Sequence, residues 1–195
     1  AVLLLGEKSI KRSFAFSSVE HMGLLILGLG LGGVGIFGAL FHMINNALAK
    51  LVMFLTAGSV AQKYGSSRAT EVRGVIHLYP VTGVFLIVAL FAGTGMFPFA
   101  TFHSELLIIN AAILTKHYIL AGITILCLAV IFIGMARLIL DLVYGKPTEP
   151  VLAKKENFFM NITIALAAAA LISLGLWMPA PLYGILSEAV ALIGA

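Results

Sequence analysis

FHMINNALAKLVMFLTAGSV, residues 41–60, decides how this chain must fold. It reads as the middle of a long apolar helix, yet it carries His42, Asn46 and Lys50. Positions i, i+4 and i+8 fall on one narrow stripe of an α-helix. An ionisable side chain at the centre of a bilayer costs about 2.5–3.5 kcal/mol on the insertion scale. Such a stripe does not face lipid; it faces neighbouring helices or water enclosed by the protein. Asn46 alone fits a structural hydrogen-bond network between helices. A histidine and a lysine on the same stripe make proton or ion handling the expectation.

The composition agrees with a bilayer as solvent. Of 195 residues, 61% are hydrophobic and only 10% charged, against about 25% charged in a soluble domain. The mean hydropathy is +1.11. The formal charge of +4 is spread between apolar spans and not gathered in one patch, which argues for membrane topology and against nucleic acid as a partner. The single cysteine, Cys127, lies in the apolar run ITILCLAVIFIG; it forms no internal disulfide and reads as lipid-facing or packing filler. The chain opens on AVLLLG without a charged leader. That opening reads as the end of a preceding membrane helix, so a fragment or one piece of a split protein is expected. No Walker-type phosphate loop, G-x-S-x-G or H-E-x-x-H occurs. The glycines of LGLGLGGVG, residues 27–35, suit close helix packing better than nucleotide binding.

The expected fold is all-α: a polytopic transmembrane helical bundle forming a single domain over residues 1–195, with about five to six spans including one broken helix. The spans fall near 14–33, 36–61, 79–96, 100–144 (interrupted) and 158–178, with 180–195 as a short interfacial or partly inserted helix. Lys8, Lys11 and Arg12 precede the first span, Lys63, Arg68 and Arg73 follow the second, and Lys146, Lys154 and Lys155 follow the interrupted one. All three loops then lie on one side, while GGVG, GTGMFPF and the tail after Met178 carry no Lys or Arg. The positive-inside rule makes the basic side cytoplasmic. Arg137 snorkels toward that side with Asp141 as its i,i+4 partner. Trp177 and Tyr183 read as interface anchors, and His77 as an ordinary interfacial residue.

The stretch LFAGTGMFPFATFHSELLIINAAILTKHYIL, residues 90–120, holds a second group of polar positions. Gly93, Gly95 and Pro98 break a helix there, and Glu105, near His103, sits one to two turns into the next. Lys116 lies eleven residues further, about three turns on, and shares a face with Glu105 if the helix is continuous. The TKHY cluster suggests a helix broken at mid-membrane with Lys116 and His117 at the break; the alternative is an ordinary loop joining two short spans. Glu20 and His21, in FSSVEHMGLL, start the first span. Either Ser17 and Ser18 cap the helix with Glu20 at its positive end, or Glu20 and His21 form the cytoplasmic mouth of a proton path.

IKRSFAFSSVEHMG, then FHMINNALAKLVMFLTAGSV, then KYGSSRATEVRGV together resemble the proton-conducting antiporter-like membrane subunits of respiratory complex I, Mrp-type sodium/proton antiporters and energy-converting [NiFe] hydrogenases. The E-H-M-G and H-M-x-N-x-A-L-A-K forms are most similar to component F of hydrogenase-4. The resemblance runs from about residue 8 to 182 and implies the second of two inverted five-helix repeats, the N-terminal repeat being absent. It implies a central relay lysine at Lys50, the histidine leading to it at His42, Asn46 where many members have a second histidine, and the broken-helix carboxylate at Glu105. His103, Lys116 and His117 are further relay candidates. The implied function is proton translocation in a redox-driven pump, by a membrane subunit of an oxidoreductase complex that itself holds no redox centre. No cofactor is expected in this chain; Fe–S clusters, and NiFe in the hydrogenase branch, belong to partner subunits. The implied partners are other antiporter-like and connecting membrane subunits and a peripheral redox module, in the plasma membrane of a prokaryote. The rivals are an Mrp-type sodium/proton antiporter subunit and a structural anchor with an inactive path.

Overall fold

The computed structural model of the chain describes residues 6–146 and 156–194. Lys154 and Lys155 of the third basic loop lie outside the described residues. Within these limits every regular element is a helix, and one isolated bridge joins Ser9 and Arg68. The elements are α1 (Ile10–Leu31), α2 (Val34–Tyr64), α3 (Val75–Leu78), α4 (Pro80–Gly93), α5 (Ala100–Leu114), α6 (Tyr118–Tyr144), α7 (Phe158–Leu176) and α8 (Ala180–Ile193).

Four of these helices, α1, α2, α6 and α7, are long and apolar enough to cross a membrane. The apolar surface is turned outward as a bilayer requires: Ile26 is 72% exposed, Ile119 82% and Phe159 81%. Cys127 is exposed as well. The interior belongs to α2, which packs against α1, α4, α5, α7 and α8. Its 31 residues make a rod of about 46 Å, with Phe41, Ala49, Val52, Met53, Ala57 and Val60 buried along it. α1 and α2 approach closely because two glycines of the 27–35 run stand at the crossing: a Cβ on Gly28 would lie 2.7 Å from the Gly35 carbonyl oxygen.

The third crossing is the broken one. α4 has 14 residues and α5 has 15, so each spans about 21–22 Å, short of the ~30 Å hydrocarbon core. The interruption at residues 94–99 lies between them, and α7 closes over it with Gly175 against the Pro98 carbonyl. Backbone freed from its helical ladder at this depth is tolerated only where protein covers it or lines a cavity.

This placement corrects two sequence expectations. The break sits at GTGMFPF, not at Lys116 and His117, and GTGMFPF is therefore an interior segment and not a loop at the far end. Residues 115–117 form a tight turn with Lys116 at φ 62, and Lys116 and His117 are exposed. The turn falls at the end where α1 passes into α2, because Gly38 meets Leu107 and Ile108 and Gly35 faces Ala111. α6 then makes a full crossing of its own. Glu105 and Lys116 do not share one continuous helix. Among the described residues, the far end thus carries Lys116, where no Lys or Arg was expected.

Among the described residues, the basic segments before α1 and after α2 meet. Ile10 N–H donates to the Ser67 carbonyl at 3.0 Å and Ala69 N–H to that of Lys8 at 2.7 Å. Arg73 pairs with Asp141 at 3.3 Å, which takes from Arg137 the partner expected for it. Lys63, assigned by sequence to a loop, is in fact the penultimate residue of α2 and is buried. Its ammonium meets Glu156 at 3.1 Å, donates to the Thr82 hydroxyl, and lies 4.5 Å from the centre of the Tyr79 ring. Thr82 also donates its backbone N–H to Glu156 at 3.3 Å. Three separate segments are tied together by one carboxylate.

For Glu156, partial burial works to raise the pKa, but the hydrogen bond and charge of Lys63, with the Thr82 donors, outweigh it and hold the carboxyl below its ordinary 4.5. A depressed folded pKa means that this stabilisation is complete above the ordinary carboxylate range and is lost as pH falls through the lower, folded value. Lys63→Met should lower stability by about 3 kcal/mol, since it leaves a partly buried carboxylate unpaired. Lys63→Met/Glu156→Gln should recover part of that. Thermal unfolding in detergent at pH 7, repeated at pH 3 where the penalty should shrink, checks both.

Candidate functional site

The buried polar residues converge at one level, where α1, α2 and α5 meet. α1 supplies Ser17 and His21, α2 supplies His42, Asn45 and Asn46, and α5 supplies Thr101, Ser104 and Glu105, all of them buried. The His42 ring bridges two helices: its Nε2 lies 2.9 Å from His21 Nδ1 and its Nδ1 lies 2.8 Å from Ser104 Oγ. His21 Nε2 in turn donates to the Gly93 carbonyl at 3.2 Å. Ligand-capable atoms of His21, His42 and Glu105 all fall within 4.8 Å of one another.

The broken crossing furnishes the acceptors. Gly93 holds His21, the Ala92 carbonyl accepts from Thr101 at 3.0 Å, and the Ala100 carbonyl accepts from Asn45 Nδ2 at 3.0 Å. Gly95, at φ 62, lies directly against the Glu105 carboxylate and leaves no room for a Cβ. The turn wraps backbone around the carboxylate, and Glu105 Oε1 has no hydrogen-bond partner there.

Lys50 approaches from the other side of the seam. Its ammonium turns toward α1, donating to the Ser17 hydroxyl and, at 3.4 Å, to the Phe14 carbonyl. It lies within electrostatic reach of Glu20. Fourteen residues separate Lys50 from the end of α2 at Tyr64, about 21 Å, so the amine is near mid-helix. Glu20 and His21 are deeper than the sequence suggested. α1 begins at Ile10, which puts Glu20 about 15 Å along it. Ser17 and Ser18 donate back to the Phe14 carbonyl, so neither caps the helix and Glu20 is not at its positive end.

The structure thus brings His21, His42 and Glu105 together, with Lys50 and Glu20 adjacent. It does not bring in His103, which is turned about α5 into a separate cleft beside Phe41, Asn110 and Trp177, nor Lys116 and His117. Asn46 is buried with an unpartnered Oδ1. Ser104 and Asn45 were not anticipated. The signal for Ser104 was its place beside Glu105 and three residues after Thr101, a small hydroxyl on the buried face.

A helical bundle with a broken crossing and an internal Lys–His–Glu seam defines a class, the antiporter-like membrane subunits. The chain belongs to one family of them: residues 1–132 match the family described as NADH:quinone oxidoreductase/Mrp antiporter, TM. It is 30% identical over 180 residues to a hydrogenase-4 component F homolog of Methylacidiphilum infernorum (isolate V4), covering 88% of this chain and 37% of that protein. It is 27% identical over 181 residues to antiporter subunit mnhD2 of Staphylococcus aureus strain JH9, covering 92% and 36% respectively. The chain therefore spans little more than a third of these relatives. The same fold occurs in the Mrp complex of Dietzia sp. DQ12-45-1b, with TM-score 0.80, 17% identity, and 98% of this chain and 42% of that one covered. It occurs also in the membrane-bound sulfane sulfur reductase, an archaeal respiratory membrane complex, with TM-score 0.81, 26% identity, and 89% and 29% covered. The protein is a multi-pass membrane protein of this family.

Gly95→Ala should be among the most disruptive small substitutions. It adds about 1–2 kcal/mol of backbone strain at positive φ and displaces the Glu105 carboxylate. Gly58→Ala, in the open on α2, should be neutral or stabilising by up to about 1 kcal/mol. Paired thermal unfolding of the two variants checks the contrast.

Proposed function

We propose that this chain relays protons across the membrane as the second antiporter-like repeat of a subunit in a redox-driven pump, of the energy-converting hydrogenase or complex I type. The observation that carries this reading is the seam itself: Lys50 on Ser17, Glu20 within electrostatic reach of Lys50, and the His21–His42–Ser104 contacts ending beside Glu105. Buried titratable groups in series are costly and mark proton or ion paths in membrane proteins. Lys50 is the central relay base, His42 and His21 are the bridge, and Glu105 releases the proton toward the end that holds Lys116. Asn46, which does not titrate, holds the place of a further carrier. The end bearing Lys8, Lys63, Arg68 and Arg73 is cytoplasmic. Electron transfer takes place in a partner module, whose Fe–S clusters and, in a hydrogenase, NiFe centre supply the driving charge; the remaining repeat and the connecting subunits complete the path.

The Mrp-type reading, exchange of sodium for protons, is favoured by the mnhD2 relative and shares the same seam. Lys50→Ala and Glu105→Gln should each reduce proton translocation at least tenfold in proteoliposomes bearing the whole complex, with assembly and the partner's redox turnover intact. Undiminished translocation in both variants would leave a structural anchor as the function. A sodium requirement, measured as the change in rate on replacing Na+ by K+, would instead favour the antiporter reading.

A further inference from the structure

The Gly93 carbonyl can only accept, so His21 Nε2 bears a hydrogen and a neutral His21 presents a lone pair at Nδ1. Ser104 Oγ lies 2.8 Å from His42 Nδ1 and 2.9 Å from the Thr101 carbonyl, so it can serve either tautomer of His42. When it donates to His42 Nδ1, His42 Nε2–H donates to His21 Nδ1 at 2.9 Å and two neutral rings are satisfied. When it donates to Thr101 and accepts from His42 Nδ1–H, both inner nitrogens present lone pairs to each other, and a cation can sit between them.

A metal ion fits the second arrangement. Metal-bound histidines commonly donate the outer ring N–H to a carbonyl or other fixed acceptor, which sets the tautomer and aims the free nitrogen inward. The Gly93 carbonyl and, in that arrangement, the Ser104 hydroxyl are such acceptors. The third donor stands beside them: Glu105 Oε1 is buried without a partner and the three ligand atoms lie within 4.8 Å. Two Zn–N bonds of about 2.0–2.1 Å at a tetrahedral angle span about 3.3 Å, so the imidazoles need to part by only a few tenths of an ångström.

We propose that His21, His42 and Glu105 form a binding site for a borderline transition-metal dication, Zn2+ being the best fit to two imidazoles and one carboxylate with a fourth position open. The ion takes the place of the inter-ring hydrogen and halts the relay while it is bound. This rests on the relay reading for its consequence, but not for the binding itself.

The test uses the full-length protein in its native complex, purified in detergent, stripped with chelator and titrated with Zn2+ at constant pH. Wild type should bind one more Zn2+ per complex than His42→Gln, and His21→Gln and Glu105→Gln should weaken that binding at least tenfold. His103→Gln and His117→Gln should leave it unchanged. The Zn K-edge spectrum of the wild type should show a nitrogen and oxygen shell near 2.0 Å with imidazole scattering. Equal binding by wild type and His42→Gln overturns the site, as does a thiolate or six-oxygen shell in the wild-type spectrum, which needs no variant to fold. The two readings fail separately. Zinc bound at this site in a protein whose translocation ignores Lys50→Ala sinks the relay alone; translocation that depends on Lys50 in a protein that binds no zinc sinks the site alone.

Discussion

Hydrocarbon supplies no hydrogen bonds, and every polar group carried into it must find its partner within the protein. That constraint organises this molecule around α2. Its His42, Asn45 and Asn46 are buried, and Lys50 is turned onto α1. They can be placed there only because α1 brings Ser17 and His21 to one flank and the interrupted α4–α5 crossing brings Ser104, Glu105 and free carbonyls to the other. The apolar residues fill the remainder and cover the outer surface, but they do not choose the arrangement. A bundle of purely apolar helices has many near-equivalent rotations; a stripe of unsatisfied donors and acceptors has few.

The same constraint explains the basic end. Lys63 could have snorkelled to water, as lysines near helix ends do. It is instead buried and bound to Glu156, Thr82 and the Tyr79 ring. Glu156 precedes α7, so the contact fixes where that helix enters the bundle. At its other end α7 covers the helix break, with Gly175 against the Pro98 carbonyl.

Much of this was legible in the residues. The i, i+4, i+8 spacing of His42, Asn46 and Lys50 announced a helix with an inward polar face, and hydropathy placed α1, α2 and α7 within a few residues, while α5 and α6 were merged into one interrupted span over 100–144. Gly93, Gly95 and Pro98 signalled a break. The break at TKHY was misplaced because polarity was taken as depth: a charged tripeptide marks a turn at the surface as readily as an opening within the membrane, and only the packing of α5 against the start of α2 separates the two. Glu20 and His21 appeared shallow because α1 starts earlier than its apolar run does, its first turns being covered by the 66–69 segment and not by lipid. The contributions of Asn45 and the Gly93 carbonyl had no sequence signal of their own, and Ser104 had only its place beside Glu105 and after Thr101. They depend on which face of α5 meets α2, a property of three-dimensional packing.

The interrupted crossing has one more consequence, concerning the economy of acceptors. In an unbroken helix the carbonyls of Ala92 and Gly93 would be consumed by the amides four residues onward. Here they are left over, and Thr101 and His21 take them up. Straightening the segment would restore regular geometry and, in the same stroke, strip the imidazole of its anchor. The irregularity is thus a supply of spare oxygen atoms, placed where the membrane offers none.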